Sequence, residues 1–484
     1  MPAPVTAVVT TGIYCRAGCA ASPHRRNTRP FAYAVAAEAA GFRPCLRCRP
    51  DDAPEPVWVD GPELVCRALR AIADGALDGA GEDDLARRLG LSARHLRRLF
   101  AEHVGATPAQ VARSRRAHFA RRLLDDTDLP VRAVAGASGF ASVRQMNRVV
   151  QEVFAFTPTQ LRARRHEPDR DVADGGLVLR LPYRPPLAWD ALLAGLAAGA
   201  LPGVESVDPA TRTYRRLVTM AGEPAVLEVA PGAPGLRPHL LLRAHLPAWD
   251  GLVHLVATVR RLLDLDADPA AIDPVLRRDP RLRALVRARP GIRLPGAADP
   301  VEAAVRAVLG RGLAPERATA LAGRLVARYG RPVPGLGALG LTHCFPAPER
   351  LARVDARRLG VGETRARSVR AVAAAVAGLD PVAGPGPLAA ALARVPGVGP
   401  ATAAHVAMRG FGDRDAFPAG DPALRRALGV RSAREASAVA SAWRPWRAYA
   451  AVHLVLGSPG PPGPAGRAGV PDRRVVPGRG PRAG

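Results

Sequence analysis

Between residues 62 and 165 apolar side chains recur at intervals of three and four, as in Leu64, Ala68 and Ile72 or Leu96, Leu99 and Phe100, and never alternate for any length. That period gathers them on one stripe of a helix, so the stretch is expected to be a helical unit. From residue 177 the pattern changes. Residues 177–181, 214–220, 225–230 and 240–246 are short apolar runs bounded by Gly or Pro, which predicts strands, whereas 188–198 and 251–263 keep helical spacing. An α+β unit is the expected result. After Pro300 helical periodicity returns as far as Leu456, cut by Gly/Pro turns.

Four compositional joints separate these regions. Residues 49–56 are rich in Pro, which opposes helix on either side, and 166–176 is polar and ends on Gly175-Gly176. Pro and Gly spacing marks a third joint between 289 and 300, and 457–484 is Gly, Pro and Arg with few large apolar residues, the composition of a disordered basic tail. At roughly 100–200 residues per domain, a chain this long requires several cores. The expected division is 1–55, 60–165, 177–290, 295–456 and the tail 457–484. The fold class is multidomain, mainly α with small α+β modules.

Composition narrows the partners. Hydrophobic residues make up 48 % and charged residues 23 %, enough to build packed interiors. Basic residues number 69 against 43 acidic, a net charge of +26, and every one of the 69 is arginine. Excess positive charge favours a polyanion, most directly DNA, because each neutralised phosphate releases condensed counterions. A lysine Schiff base is excluded. No apolar run approaches the ~18 residues of a spanning helix, and the first twenty residues lack the features of a secretory signal. A reducing cytoplasm is therefore expected, where clustered cysteines serve as metal ligands or nucleophiles more often than as disulfides.

Cys15, Cys19, Cys45 and Cys48 form C-x3-C followed by C-x2-C, a spacing that converges on one tetrahedral zinc ion. Cys66 and Cys344 stand alone and read as packing residues. The words Thr10-Thr11-Gly12-Ile13-Tyr14-Cys15-Arg16 and Gly41-Phe42-Arg43-Pro44-Cys45-Leu46-Arg47-Cys48-Arg49-Pro50 resemble the N-terminal domain of the Ada family of alkylation-response proteins. The resemblance implies a zinc-bound domain in which Cys15 is also the acceptor of a methyl group from methylated DNA phosphate, once per molecule. Two departures are visible. Met1 lies only nine residues before Thr10, so less chain is expected beneath this strand, and the family's Arg-Pro-x-Cys is Arg16-Ala17-Gly18-Cys19.

Residues 82–104 read as helix, a Gly90-Leu91 turn, and a second helix capped by Ser92 that carries Arg94, His95, Arg97 and Arg98. A second copy follows: 129–138, the Gly139-Phe140 turn, then Ser142 ahead of Arg144, Gln145, Asn147 and Arg148. Thr107-Pro108 and Thr157-Pro158 sit at matching offsets behind the two. This doubled helix-turn-helix resembles the AraC-type DNA-binding domain, and these eight polar side chains are the expected DNA contacts, through base edges or phosphates.

Residues 396–400, Pro-Gly-Val-Gly-Pro, lie between two helical stretches, and Gly397, Val398 and Gly399 would present backbone N–H groups to a phosphate at the start of the second. About twenty residues on comes Asp421-Pro422, which read locally is an N-cap followed by Pro at the first helical position. With Leu181-Pro182-Tyr183-Arg184-Pro185-Pro186, Leu201-Pro202-Gly203-Val204-Glu205 and Trp443-Arg444-Pro445-Trp446-Arg447-Ala448-Tyr449, these words resemble AlkA, the type II 3-methyladenine DNA glycosylase. That resemblance implies a TBP-like α+β domain, an all-α helix-hairpin-helix glycosylase domain, base flipping, and Asp421 as the catalytic carboxylate of a monofunctional N-glycosylase. The chain departs from the family at Ala401 and Val455, where aromatics are usual, and at Gly310-Arg311-Gly312, where the family inserts a wedge into the duplex.

Two functional expectations follow. The first is an alkylation-response protein that accepts methyl groups at Cys15, regulates transcription and excises alkylated bases. The second is a transcription regulator whose AlkA-like half binds DNA with little or no catalysis. Expected partners are one zinc ion, double-stranded DNA and RNA polymerase at the helix-turn-helix region, with a monomeric chain and no membrane.

Overall fold

The computed structural model of the chain describes residues 5–16, 18–20, 23–50, 63–164, 176–233, 238–380, 382 and 384–457. The expected joints at 49–56 and 166–176 and the tail lie almost wholly outside these residues. The first module is a sheet of β1 (Val5–Val8), β2 (Ile13–Arg16), β3 (Thr28–Phe31) and β4 (Arg43–Pro44), with α1 (Ala34–Ala39) packed on it. Strand order is β3-β1-β2-β4, and only β2 and β4 run parallel. Val5, Ala7, Tyr14 and Ala37 form its small core.

Seven helices follow: α2 (Glu63–Ala73), α3 (Glu82–Arg88), α4 (Ala93–His103), α5 (Pro108–Asp126), α6 (Val131–Ala137), α7 (Val143–Phe154) and α8 (Pro158–Ala163). The Thr-Pro pairs explain themselves here. Thr107 and Thr157 are N-caps with Pro at the first helical position, and Gln110 and Gln160 close a capping box on each, satisfying two orphan donors per helix.

The third module holds β5 (Leu177–Pro182), α9 (Trp189–Ala198), β6 (Glu205–Asp208), β7 (Thr213–Met220), β8 (Glu223–Pro231), β9 (His239–His245) and α10 (Leu252–Leu262). Its five strands are antiparallel in the order β5-β9-β8-β7-β6. The four strands and two helices read from the sequence are all present; β6, four residues long, was not read. One apolar core runs without a break from Leu123, Val150 and Phe154 of the helical module to Leu179, Leu227 and Leu242 of this sheet.

The remainder is helical: α11 (Pro269–Leu276), α12 (Pro280–Ala288), α13 (Pro300–Gly310), α14 (Pro315–Tyr329), then β10 (Arg331–Pro332) and β11 (His343–Cys344), then α15 (Pro348–Leu351), α16 (Ala356–Leu359), α17 (Glu363–Ala377), α18 (Pro385–Ala393), α19 (Pro400–Gly410), α20 (Pro422–Leu428), α21 (Ala433–Ala440) and α22 (Arg447–Gly457). Ile272, Leu282 and Leu294 share a core with Phe417, Trp443, Tyr449 and Leu454; α12 packs against α22, and α11 against α12. The stretch 289–300 is no exposed connector. Residues 291–297 are buried, and Arg293, 1 % exposed, donates to the carbonyls of Gly291 at 3.3 Å and Arg184 at 2.6 Å. Gly291 has φ +72, and an added Cβ would lie 2.1 Å from the Pro186 carbonyl oxygen, so only glycine fits.

A buried ionic cluster ties sheet to helices. Arg216 on β7 donates to Glu205 at 2.5 Å and to Glu302 on α13, and Arg306 reaches both carboxylates at 3.2 Å. Burial alone would lower the Arg216 pKa; Glu302 and Glu205 raise it well above the ordinary value. Among the described residues no helix is long and apolar enough to cross a membrane.

Candidate functional site

Strand pairing assembles the thiol cluster. The parallel pair of β2 and β4 sets Cys15 beside Cys45, whose N–H donates to the Tyr14 carbonyl at 2.9 Å. The turn after Cys15 folds back through Cys19 N–H to the Arg16 carbonyl at 3.3 Å, and the turn from Cys45 closes through Arg49 N–H at 3.0 Å. All four Sγ atoms lie within 4.8 Å of one another. Tetrahedral zinc with Zn–S of about 2.3 Å needs sulfurs about 3.8 Å apart, so the quartet fits the ion with small side-chain adjustments. The electrostatics point the same way. Burial, then the negative charges of Cys45 and Cys48, push the Cys15 thiol far above its ordinary value. Burial also raises Cys48, which the Arg16 N–H opposes and Cys45 reinforces, to about 11. Cys45 moves the other way: against burial, the N–H groups of Cys48 and Arg47 hold it low. A dication relieves this mutual repulsion. Cys15 and Cys48 are buried and Cys19 and Cys45 half-buried; Cys66 and Cys344, 8 % and 3 % exposed, pack inside other modules.

The cluster leans on the helical module. Glu38 of α1 accepts from the Tyr14 hydroxyl at 2.7 Å and contacts His118 of α5 at 2.5 Å. Arg49 pairs with Asp125 at 3.3 Å, and Leu46 packs on the large shared core.

Each helix-turn-helix is built as the spacing predicted. Ser92 Oγ accepts the His95 N–H at 3.2 Å and Ser142 Oγ the Gln145 N–H at 3.1 Å, fixing the first turns of α4 and α7. Leu96, Phe100, Met146 and Val150 anchor the inner faces. Arg94, Arg97, Arg98, Arg144, Asn147 and Arg148 are exposed, and His95 and Gln145 half-buried. Several of the eight also have partners within the chain: Arg97 donates to Glu82 at 2.5 Å, Gln145 Oε1 accepts the Ala141 N–H at 3.0 Å, Arg98 meets the His95 ring at 3.2 Å, and Arg148 lies 3.9 Å from Glu152.

The hairpin lies between α18 and α19. Gly397 has φ +83, and Gly399 caps α19 with Pro400 at its first position. Gly397 through Thr402 line a cleft of about 830 Å³ together with Arg311, Phe417, Gly420 and Arg434. Asp421, next to Gly420, is half-buried and caps α20, its Oδ1 accepting Ala423 N–H at 2.7 Å and Leu424 N–H at 3.3 Å. The loop carrying it is clamped from α22: Arg447 grips Asp415 at 2.8 and 2.9 Å. Trp443 and Trp446 are core residues, stacked edgewise on Phe417 and Tyr449 at 6.0 and 5.8 Å. Ala401 faces Gly420 so closely that a Cβ there would lie 3.0 Å away. Val455 is 47 % exposed, while His453 is fully buried with neither ring nitrogen bonded, and burial takes it down to about 4.

One residue behind the hairpin escaped the sequence reading. His405 lies one turn beyond Ala401 on α19; burial and then Arg409 hold it at about 4, against the pull of Asp421. Its signal was the i, i+4 spacing from the hairpin. Arg311 reaches across to the Gly397 carbonyl, and Arg365 holds the Arg311 carbonyl at 2.7 Å.

A thiol cluster fit for a metal ion, docked on paired helix-turn-helix units and followed by a hairpin cleft, defines a DNA-binding protein with a metal-binding module. Comparison with known proteins sharpens this. Residues 4–51 match the metal binding domain of Ada, 85–164 a helix-turn-helix domain, and 178–299 the AlkA N-terminal domain. The probable bifunctional transcriptional activator/DNA repair enzyme AlkA of Mycobacterium tuberculosis is 44 % identical over 454 residues, 91 % of this chain and 90 % of that protein. DNA-3-methyladenine glycosylase 2 of Escherichia coli is 32 % identical over 55 % of this chain and 92 % of its own length. The bifunctional transcriptional activator/DNA repair enzyme Ada of Escherichia coli is 34 % identical over 33 % of this chain and 44 % of its own. The chain belongs to the family of bifunctional transcriptional activator/DNA repair proteins that join Ada and AlkA modules, and its four clustered cysteines are a site for one zinc ion.

Proposed function

We propose that the chain senses methylated DNA backbone at Cys15, converts that event into sequence-specific DNA binding, and excises alkylated bases at Asp421. The observation that carries the first part is the mutual approach of four sulfurs to within 4.8 Å. Zinc, when bound, keeps these thiols deprotonated at neutral pH yet nucleophilic. Cys15 is less exposed than Cys19 and Cys45, so exposure does not single it out; the family resemblance supports it as the acceptor. Its sulfur attacks the methyl carbon of a methyl phosphotriester opposite the ester oxygen. The S–C bond forms as the C–O bond breaks, and the electron pair leaves with oxygen as a phosphodiester anion. The thioether carries one negative charge fewer, which weakens repulsion of DNA next to the helix-turn-helix units.

In the cleft, Gly397, Val398 and Gly399 hold a backbone phosphate at the start of α19. An alkylated purine is cationic and leaves with the N–C1′ electron pair, while Asp421 stabilises the oxocarbenium-like sugar until water adds to C1′ and loses its proton. His405, neutral at pH 7, adds no competing cation beside that carboxylate. Arg94, His95, Arg97, Arg98, Arg144, Gln145, Asn147 and Arg148 form the operator-reading and phosphate-holding surface, with Arg97 and Gln145 also supporting it from within. We place the modules at 1–55, 60–165, 177–290 and 295–456 in a cytoplasmic monomer that meets RNA polymerase through the helix-turn-helix region.

The small side chains at Ala401 and Gly312 favour a second reading, in which the C-terminal half binds DNA without releasing bases; among the described residues Phe417 is the single aromatic lining the cleft. Free-base release from methylated duplex DNA separates the two, and methyl labelling of Cys15, compared with Cys15→Ser, tests the sensor. Labelling of the Ser variant at the parental level would eliminate Cys15 as acceptor.

A further inference from the structure

The rear of the first helix-turn-helix is not a free surface. Its core, built from Val65, Leu69, Leu85, Leu89 and Phe100, contains one side chain from far along the chain: Val382, 2 % exposed, in the connection between α17 and α18. On α2 the Arg67 guanidinium donates to the Val382 carbonyl through Nε at 2.7 Å and again through Nη2. At the end of α3, Arg88 pairs with Asp380 through two bonds of 2.8 and 2.9 Å. Asp380 Oδ1 also accepts the Val382 N–H at 2.9 Å, which bends the backbone for insertion. Gly384, with φ +89, passes so near Arg67 that a Cβ would lie 2.7 Å from Cζ. An apolar plug, a doubly bonded carbonyl and a fork-like ion pair thus converge on one short segment.

That segment is coupled to the hairpin. Helix α18 begins at Pro385, and its nine residues, at 1.5 Å each, extend about 14 Å toward the turn at Gly397. Plug and hairpin stand at opposite ends of the same helix.

We propose that Asp380, Val382 and Gly384 form a latch through which the C-terminal half completes the core of the first helix-turn-helix, so that this half is a structural partner of the DNA-reading half whether or not it cleaves glycosidic bonds. Linkage makes the effect reciprocal: what orders the first reading unit also orders the hairpin.

The test is amide hydrogen exchange on the full zinc-loaded chain, comparing the parent with Val382→Ala, Asp380→Ala, Arg88→Ala and the double variant Arg88→Ala/Asp380→Ala. Expected is a rise of about tenfold in exchange across residues 63–103 and 396–410 for Val382→Ala, the effect of removing buried methyl groups, with residues 143–154 unchanged. The Arg88 and Asp380 effects should fall short of additive by at least about threefold, as for any directly bonded pair. Unchanged exchange in 63–103, additive effects, or an equal rise in all three segments would each overturn the latch.

Discussion

Asp421 does two jobs in the proposed reading, and they separate by substitution. As N-cap of α20 it satisfies two backbone donors, at 2.7 and 3.3 Å. Losing such a cap to alanine costs about 1 kcal/mol, whereas asparagine caps about as well as aspartate and forfeits only the charge–dipole part, ~0.3–1 kcal/mol. In a unit of 150–250 residues each kcal/mol moves the melting midpoint by about 2–4 °C. As the carboxylate that stabilises a developing cation, its removal should cost ~3–4 kcal/mol of transition-state energy, or about 10²–10³ in rate, in line with the loss of one preorganised electrostatic partner elsewhere. Asp421→Asn should therefore melt within about 4 °C of the parent while releasing methylated purines from duplex DNA at least about 100-fold more slowly under single-turnover conditions. Asp421→Ala should be as slow and melt lower still. A domain stable by ~5–15 kcal/mol stays folded after either change, so unfolding at assay temperature cannot mimic the loss. Parental release by the Asn variant would reduce Asp421 to a helix cap and sink the catalytic assignment.

The other predictions concern different modules. Chelation of zinc should loosen the small metal module, whose core among the described residues is only four side chains, and release four fast-reacting thiols to a chromogenic disulfide reagent, while Cys66 on α2 and Cys344 on β11, buried in other modules, stay slow until those modules unfold; six fast thiols would contradict the cluster. Glu302→Ala should lower stability by about 3–5 kcal/mol because it leaves the buried Arg216 and its neighbour Arg306 to share the one carboxylate of Glu205, measured by denaturant unfolding; a loss under about 1 kcal/mol would mean Glu205 alone balances both guanidiniums. The Asp78–His254 pair, 2.5 Å apart between the first helix-turn-helix and α10, gives a pH signature. The Asp78 hydrogen bond raises His254 above 6.5, so its contribution is full below 6.5 and fades as pH rises through the folded value. Burial raises Asp78, but His254 and Arg116 lower it below 3.8, so its contribution is lost only as pH falls through that lower value. The melting difference between the parent and His254→Asn should be largest between about pH 4 and 6.5 and shrink above; a difference that grows with pH would refute the pairing.

Local chemistry was legible in the sequence because its signals are local. C-x3-C with C-x2-C needs only two tight turns and one parallel strand pair to converge, and Thr-Pro followed by Gln two residues later closes its own capping box. Asp421-Pro422 wrote its cap into two adjacent letters. What stayed hidden depends on partners far along the chain. Nothing near Arg88 announces Asp380, and an isolated Val in a Gly/Pro-rich turn carries no mark of a core residue. Short strands such as β6, β10 and β11 hold too few residues for a period to show. Pro and Gly spacing at 289–300 marks a joint but not its burial: the same residues allow an irregular backbone to cross the interior, provided its polar groups are met, as the Gly291 N–H is by Asp273 at 3.2 Å.

Net charge needs the same discrimination. A surplus of +26 favours a polyanion, yet several arginines point inward. Arg121, 2 % exposed, is held by Asp125 at 2.7 Å; Arg216 by Glu205 and Glu302; Arg293 by main-chain carbonyls. Guanidinium suits these places because its planar fork meets carboxylate or carbonyl oxygens in fixed directions and is less strongly hydrated than an ammonium group. In a chain whose only basic residue besides histidine is arginine, interior scaffolding and exterior phosphate contact draw on one side chain, and burial tells them apart. In the proposed reading, exposed Arg94, Arg98, Arg144 and Arg148 on α4 and α7, with Arg434 at the cleft, are the arginines offered to a polyanion. Counterion release counts only cations that reach phosphate, so on that reading these surfaces, rather than the formal total, would set the strength and salt dependence of DNA binding.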